Sequence, residues 1–376
     1  MSAIALLHSL SGPNGIRASA SNAANYDAVF TRDAMMAGLA GILADDDQVI
    51  GAFVRTLEQL RRLQGSQGQI ASNYTIASDG SERVSFGILT PKIDATTWYL
   101  VGIGLGVRAG VVDAPGYSDS IRAVVRLLDA LEYNGSDLIY VPAGGNWADE
   151  YLYDGYLLYD QVLRAWALRL LAKTFGEPAW AEKSASISAT IDTRYWPRDS
   201  SDSEEPAHPA AGLSPTRTWQ QFDLAACSLL ASSGLLPERA RQSLAWIVGH
   251  YIACDKLPPA FSPVIEKEDP DWRALRSFHL FQFRNRPHEY HNGGIWPIWL
   301  GWLALGLRRA GRGDDVQRLH TLLAGIVDAC ADYQFEEYLH GLTLEPAGTR
   351  SMAYSASGQI FLDAALSPAP CDWLLS

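Results

Sequence analysis

The chain has 376 residues, 48% of them hydrophobic, and a net charge of −12 at pH 7. This length and apolar content are sufficient for a large buried core. The acidic balance, together with the lack of any basic run, argues against nucleic acid and anionic membranes as partners. The four cysteines stand far apart without a CxxC pair, which indicates reduced thiols rather than a disulfide or zinc framework.

The N-terminal segment, MSAIALLHSLSGPNG, has no positively charged start, and its apolar run is too short for a signal peptide. Elsewhere, no apolar run approaches the roughly 18 residues that a spanning helix needs. We therefore expect a soluble, cytoplasmic protein that is not bound to a membrane.

The apolar runs have helical rather than strand periodicity, and they fall into two alternating sets. One set is apolar almost all round, which is typical of helices buried on every side. Its members begin near Asp33, Asp94, Gly155, Arg217, Gly293 and Arg350. The other set is amphipathic and covers Asp47–Leu63, Tyr117–Leu131, Pro178–Ile191, Pro237–His250 and Gly313–Ala331, with Ala3–Leu10 as a candidate sixth member.

A repeat of roughly 60 residues with one buried and one amphipathic helix indicates a closed helical toroid. We predict an all-α (α/α)6 barrel, with six inner and six outer helices and at least eleven substantial helices in all. The alternative is an open solenoid, but the polar capping repeats expected of one are missing. We expect one catalytic domain over residues 1–376, with long loops at 192–216 and 258–289 over the mouth.

The unusual residues cluster in the loops that precede the inner helices. In such a barrel the inner helices have their N-termini at one end, so these loops are expected to ring one mouth, where function concentrates. Arg32 and Asp33 open an apolar helix there, and we expect them to hydrogen-bond a polar ligand. The alternative is a buried ion pair that only fixes the loop.

Aromatic residues are frequent in and next to these loops and mix with acids, amides, Arg and His. Flat rings pack on the C–H face of a pyranose, while carboxylates and amides bind its hydroxyls, so the expected ligand is a neutral small-molecule sugar. At least half of these aromatics are also expected to pack in the core. The aromatic residues are Tyr26, Trp98, Tyr99, Trp147, Tyr151, Tyr153, Trp219, Tyr290, Trp296 and Tyr338.

Five segments, taken in order, resemble motifs of (α/α)6 glycoside hydrolases: YDAVFTRD, IDATTWY, NWADEYLYDG, YHNGGIWPIW and EEYLHG…GTRSMAYSASG. They are most similar to the glycogen-debranching amylo-α-1,6-glucosidases and the neutral invertases, with a weaker likeness to glucoamylases. The resemblance runs from about Tyr26 to Ala364. The chain is short for these families and lacks a segment matching their additional β domain, which weakens the case for polymeric substrates.

In those families a carboxylic acid protonates the glycosidic oxygen, and an opposing carboxylate activates water. The resemblance assigns the acid to Asp149 and the base to Glu337, with Glu150 and Glu336 as neighbouring rivals. This chemistry requires an acid with a raised pKa and an ionised base. It implies no metal ion and no cofactor. The other sugar-binding candidates are Tyr26, Arg32, Asp33, Asn73, Asp94, Trp98, Tyr99, Trp147, Trp219, Tyr290, His291, Asn292 and Trp296.

The expected activity is an exo-acting glycoside hydrolase, an inverting α-glucosidase that releases glucose from a small glucoside or short oligosaccharide. A neutral-invertase-like sucrose hydrolase is the first alternative. A sugar epimerase with paired His residues, or a catalytically silent sugar-binding protein, ranks below it. Five arginines are expected near the mouth: Arg32, Arg217, Arg284, Arg286 and Arg350. If two of them converge on the +1 side, an anionic aglycone such as a glycerate becomes plausible.

Overall fold

The computed structural model describes residues 1–21, 26–88, 90–197, 206–279, 281–367 and 371–375. Six inner helices form a closed ring in which each one contacts the next and the last contacts the first. They are α2 (Thr31–Leu43), α4 (Ile93–Arg108), α6 (Leu158–Phe175), α8 (Leu224–Ser233), α11 (Pro297–Arg309) and α13 (Ala353–Leu366).

Six outer helices pack against the ring, one on each inner helix. They are α1 (Ala3–Leu10), α3 (Asp47–Arg62), α5 (Ser118–Ala130), α7 (Pro178–Arg194), α9 (Pro237–His250) and α12 (Gly313–Ala329). The first of these lies against α13 and so closes the outer layer, as the sequence suggested. The predicted (α/α)6 barrel is confirmed.

Burial differs between the two layers in the way that the sequence predicts. Every residue of α4 from Ile93 to Gly106 is buried, and α8 is buried along its whole length. In α3, by contrast, only one face is buried, and Arg61 and Arg62 lie at the solvent-facing C-terminal end. A helix surrounded by other helices has no water to face, so its sequence carries no polar stripe.

Two short helices lie outside the double ring, α10 (Trp272–Ser277) and α14 (Asp372–Leu375). None of the helices in the described part of the chain combines the length and the hydropathy needed to cross a bilayer.

The loops at one end contain small antiparallel sheets that the sequence did not predict. A strand of two to four residues is too short to show an alternating pattern. The strands in the described ranges are β1 (Ser11–Gly12), β2 (Gly15–Ile16), β3 (Val29–Phe30), β4 (Asn73–Ile76), β5 (Glu82–Ser85), β6 (Tyr156–Leu157), β7 (Gly212–Leu213), β8 (Thr218–Trp219), β9 (Phe222–Asp223), β10 (Phe261–Ser262), β11 (Tyr338–Leu339) and β12 (Pro346–Ala347).

These strands tie neighbouring mouth loops together. Strand β3 pairs with β4, with Phe30 opposite Asn73, and β9 pairs with β10. Strands β8 and β9 also explain why the fourth inner helix begins at Leu224 rather than near Arg217, as the sequence had predicted.

The two predicted long loops are partly regular. The first begins inside α7, and its residues 198–205 lie outside the described part of the chain. The second, 258–289, contains β10 and α10, and its residue 280 is likewise not described.

Inner helices α11 and α13 approach each other through glycines. A Cβ on Gly358 would lie 2.3 Å from the carbonyl oxygen of Pro297 and 2.6 Å from the Cα of Ile298. Both neighbours are backbone atoms, so neither can move aside without separating the two helices.

We therefore expect Gly358→Ala to lower the free energy of unfolding by about 1–3 kcal/mol, the usual cost of overpacking. Gly325→Ala is the matched control, because Gly325 lies in outer helix α12 with no atom within 4 Å of a new Cβ. It should stabilise the protein by about 0.5–1 kcal/mol through helix propensity. Urea unfolding measures both changes, and equal effects would contradict the close packing of α11 on α13.

Candidate active site

A cavity of about 800 Å³ opens among the loops at the N-terminal ends of the inner helices. Its walls come from loops widely separated in sequence, and they carry cations, carboxylates and aromatic rings. The lining residues are Tyr26, Phe30, Arg32, Ser72, Asn73, Ser85, Gly87, Ile88, Thr90, Lys92, Gly144, Asp149, Glu150, Ser277, Phe278, His279, Phe281, Gln282, Arg284 and Thr349. A smaller cavity of about 440 Å³ beside the β4–β5 hairpin contains none of the candidate residues.

At the floor of the cavity, the first turn of α2 supplies Arg32 to the lining, and two buried acids from the first turns of α2 and α4, Asp33 and Asp94, lie beside it. Arg32 donates from Nη1 to Oδ2 of Asp94 at 2.6 Å, while the Nε of Arg32 is buried without a partner among the described residues. Burial raises the pKa of Asp33 to about 6, although the nearby Arg32 acts in the opposite direction. These polar groups, already removed from water, are suited to sugar hydroxyls.

Asp149 follows Trp147 in a loop between α5 and α6, and its side chain is one-third exposed to the cavity. Its Oδ2 lies 3.2 Å from the Nζ of Lys92, which also donates to the carbonyl oxygen of Gly144 at 2.6 Å. Burial acts to raise the pKa of Asp149, but the positive charges of Lys92 and Arg32 outweigh it, so the pKa lies below its usual value.

Glu337 lies immediately before β11 and is only 3% exposed. Its Oε1 accepts a hydrogen bond from the Tyr26 hydroxyl at 2.9 Å, and its Oε2 accepts one from the Thr349 amide at 3.2 Å. Burial raises the pKa of Glu337 although Arg284, 3.9 Å away, and the two hydrogen bonds favour the ionised form.

Asp149 and Glu337 lie close enough to interact, since the negative charge of Asp149 raises the pKa of Glu337. The resemblance implies a raised pKa on the acid, Asp149. The structure has the reverse order, because Lys92 stands beside Asp149 and Glu337 is the more deeply buried carboxyl.

The rival carboxylates have other partners. Glu150 receives two bonds from the Arg284 guanidinium, at 3.1 and 3.2 Å. Glu336 accepts the amide of Gln334 at 2.9 Å and lies 3.3 Å from the Nε of Arg350. Glu336 is not part of the cavity lining, and Glu150 lines the cavity but is paired with Arg284. Asp149 also lines the cavity and is partly exposed, while Glu337 lies behind the lining residues Tyr26 and Thr349.

An aromatic group backs the cavity on one side. The ring of Trp147 makes edge-to-face contacts with His291, Trp296 and Trp299 at 5.0–5.4 Å. His291 stacks on Trp296, and burial lowers the pKa of His291 well below its usual value although Asp149 acts in the opposite direction. The guanidinium carbon of Arg284 lies over the Tyr290 ring, 3.8 Å from the ring centre.

Of the predicted sugar-binding residues, Tyr26, Arg32, Asn73 and the rival Glu150 line the cavity, and the others are not part of its lining. Four of the others have side-chain contacts that are directed elsewhere. Trp98 donates to the Tyr159 hydroxyl in the core, and the Tyr99 hydroxyl faces Ser120 of outer helix α5. Trp219 donates to the carbonyl of Asp154 and packs against Arg217.

Asn292 is the fourth of these residues, and its amide is saturated by the backbone. It bonds both the amide and the carbonyl of Ile265, at 2.8 and 2.9 Å. Asn292 therefore fixes the 258–289 segment. This correction and the previous ones share a cause, since sequence places a residue near a helix start but not on a given side of it.

Lys92 and the apolar residues Ile88, Phe278 and Phe281 line the cavity but were not predicted to be in the site. Lys92 stands immediately before the IDATTWY motif, and a lone lysine in a loop gives no further signal. The three apolar residues lie in segments without any motif.

No family model matches the chain, and no curated protein matches it. Solved structures do match in fold. The GH63 mannosylglycerate hydrolase from Thermus thermophilus, in complex with Tris, has a TM-score of 0.65 at 15% identity, covering 96% of this chain and 98% of that one.

Two other matches are sugar complexes. A glycosidase variant in complex with glucose has a TM-score of 0.66 at 14% identity, covering 97% of this chain and 95% of that one. A bacterial glucoamylase in complex with acarbose has a TM-score of 0.67 at 13% identity, covering 97% of this chain and 54% of that one. This chain thus has the (α/α)6-barrel fold that these glycoside hydrolases share.

The Lys92 contact predicts a change in the ionisation of Asp149. In Lys92→Met the carboxylate loses a neighbouring positive charge, so the pKa of Asp149 should rise. Carbon-13 NMR of labelled Asp side chains across a pH titration measures it. Lys267→Met, at an exposed position, should leave the titration unchanged. An unaltered pKa in the Lys92 variant would show that the ion pair does not control Asp149.

Proposed function

We propose that this protein is a glycoside hydrolase, an exo-acting, inverting α-glucosidase that releases one glucose unit from a small neutral glucoside. The observation that carries the proposal is a pair of carboxyl groups from loops far apart in sequence. Asp149 lines the cavity, and Glu337 lies behind the lining residues Tyr26 and Thr349, near enough for Asp149 to raise its pKa. Inverting hydrolysis requires such a pair with room for a water between them.

Glu337 is suited to the role of base. The Tyr26 and Thr349 hydrogen bonds hold both of its oxygens, and a raised pKa makes a carboxylate a stronger proton acceptor. It would take a proton from the water that attacks the anomeric carbon.

Asp149 would act as the acid once substrate is bound. Its carboxyl is now one-third exposed, and a sugar filling the cavity would remove that water contact. Loss of water raises the pKa of a carboxyl group and so opposes the effect of Lys92. The bound substrate would thereby help to protonate the group that cleaves it.

The proposed sugar subsite is the floor formed by Arg32, Asp33 and Asp94, backed by Trp296. The charge balance supports a neutral ligand, because each mouth cation already has a carboxylate. Lys92 faces Asp149, Arg32 faces Asp94, and Arg284 faces Glu150. The remaining mouth arginines also have partners, Arg217 with Asp271, Arg286 with Glu289, and Arg350 with Glu336.

The comparisons support a small substrate. The Thermus hydrolase, described as acting on mannosylglycerate, matches this chain over nearly its full length, whereas the glucoamylase is almost twice as long as the part that matches. An epimerase using paired His receives no support, since His279 is the one histidine that lines the cavity within the described ranges.

The test of the activity is a panel of α-glucosides and α-mannosides that includes sucrose, isomaltose, mannosylglycerate and glucosylglycerate, followed by NMR. The proposal expects glucose release from a neutral member, with the β-anomer appearing first. Asp149→Asn and Glu337→Gln should each lower kcat by about 10²–10⁴-fold. Their matched controls are Glu150→Gln and Glu336→Gln.

The acid and the base should differ in their leaving-group dependence. Asp149→Asn should spare activated aryl glucosides, which need little protonation, while Glu337→Gln should slow every substrate. Wild-type rates in both variants would refute the pair. If only the control variants lose activity, Glu150 is the acid and Glu336 is the base. If the wild-type protein releases no sugar from any glycoside of the panel, it is a sugar-binding protein and not a hydrolase.

Charge balance in the cavity predicts weak dependence on ionic strength. The KM for a neutral glucoside should change less than about twofold between 0.05 and 0.5 M NaCl, because no long-range attraction is being screened. A preference for mannosylglycerate or glucosylglycerate with a steep salt dependence would show instead that an arginine or Lys92 leaves its partner to bind an anion.

A further inference from the structure

The outer part of the cavity has an apolar rim, formed by Ile88, Phe278 and Phe281. Ile88 lies between β5 and α4, while Phe278 and Phe281 follow α10, so two separate segments supply it. The side chains of Ile88 and Phe281 are 69% and 78% exposed. Large hydrophobic residues with this exposure leave apolar area in water next to the opening of a site.

Such exposure is unusual in this protein. Within the described ranges the large hydrophobic residues that are exposed are Met1, Val84, Ile88, Tyr133, Tyr140, Phe281 and Leu342, and two of these seven line one cavity. A scattered exposed residue needs no explanation, but two from different loops at the same opening indicate a contact surface.

The rim and the floor differ in chemistry. The floor holds Arg32 and Asp94, whose polar groups suit sugar hydroxyls. The two other cations that line the cavity, Lys92 and Arg284, form ion pairs with Asp149 and Glu150. Asp149 is near both zones, since the charge of Arg32 acts on its carboxylate, and a Cβ on Gly144 would lie 2.8 Å from the Asp149 carbonyl oxygen and 3.4 Å from the Phe278 ring. With Asp149 as the acid, the leaving group would lie on the side of the rim.

We infer that the rim is an aglycone subsite for an alkyl or aryl group, so that the preferred substrates are glycosides of apolar alcohols rather than disaccharides. This inference rests on the proposed function and specifies its substrate. His279 and Gln282, on the same segment as the two phenylalanines, are available to a single hydroxyl on such an aglycone.

The test is a series of methyl, butyl and hexyl α-glucosides and α-mannosides, whose leaving alcohols have similar acidity. The inference expects kcat/KM to rise with chain length, by about tenfold or more from methyl to hexyl, because buried CH₂ groups each favour binding. Phe281→Ser and Ile88→Ser should flatten the rise, mainly through KM.

Tyr133→Ser is the matched control, since Tyr133 is 97% exposed and does not line the cavity. It should keep the chain-length dependence. Calorimetric binding of the same series separates this inference from the hydrolase proposal. Affinity that rises with chain length without any hydrolysis supports the subsite and refutes the activity. Affinity and kcat/KM independent of chain length in both series, or a dependence unaltered in Phe281→Ser and Ile88→Ser, overturns the inference.

Discussion

Closure of six apolar helices into a ring is the constraint on which the other features depend. It brings the N-termini of the inner helices to one end and removes them from water. Four consecutive inner helices carry an acid at that end, and the positive end of each helix dipole favours a negative charge there. The acids are Asp33, Asp94, Asp160 and Asp223.

Burial opposes this effect of the helix dipoles. It raises the pKa of Asp33 to about 6 and that of Asp223 to about 7. Asp160 is fully buried, and neither of its oxygens has a hydrogen-bond partner in the described part of the protein, so its pKa lies well above the usual value. Burial thus raises the pKa of Asp33, Asp160 and Asp223, and of Glu337 in the loops above, whereas at Asp149 the neighbouring positive charges outweigh it.

Much of the fold could be predicted from sequence because burial dictates composition. The helix α4 has no polar stripe, and the amphipathic α3 does, so their layers can be assigned without coordinates. The convergence of Arg32 with Asp94 also follows, since both residues stand in the first turn of an inner helix. Topology alone brings such positions together.

The finer parts of the site could not be predicted for equally physical reasons. Tyr99 and Asp94 lie in the same helix, yet one faces outer helix α5 and the other faces Arg32, and only the packing decides which. Which of Asp149 and Glu337 has the higher pKa depends on Lys92. The sequence does not show that Lys92 contacts Asp149, because the two residues belong to different loops. Coordinates are likewise needed to show that Glu150 pairs with Arg284 and that Glu336 pairs with Arg350.

The central claim is that Glu337 activates the attacking water opposite Asp149. Azide rescue of Glu337→Ala tests it most directly, because azide attacks without a general base. With an activated α-glucoside as substrate, the account predicts that azide restores turnover and that NMR shows the β-glucosyl azide. Restored turnover in Glu336→Ala but not in Glu337→Ala, or no azide adduct from either variant, would contradict it.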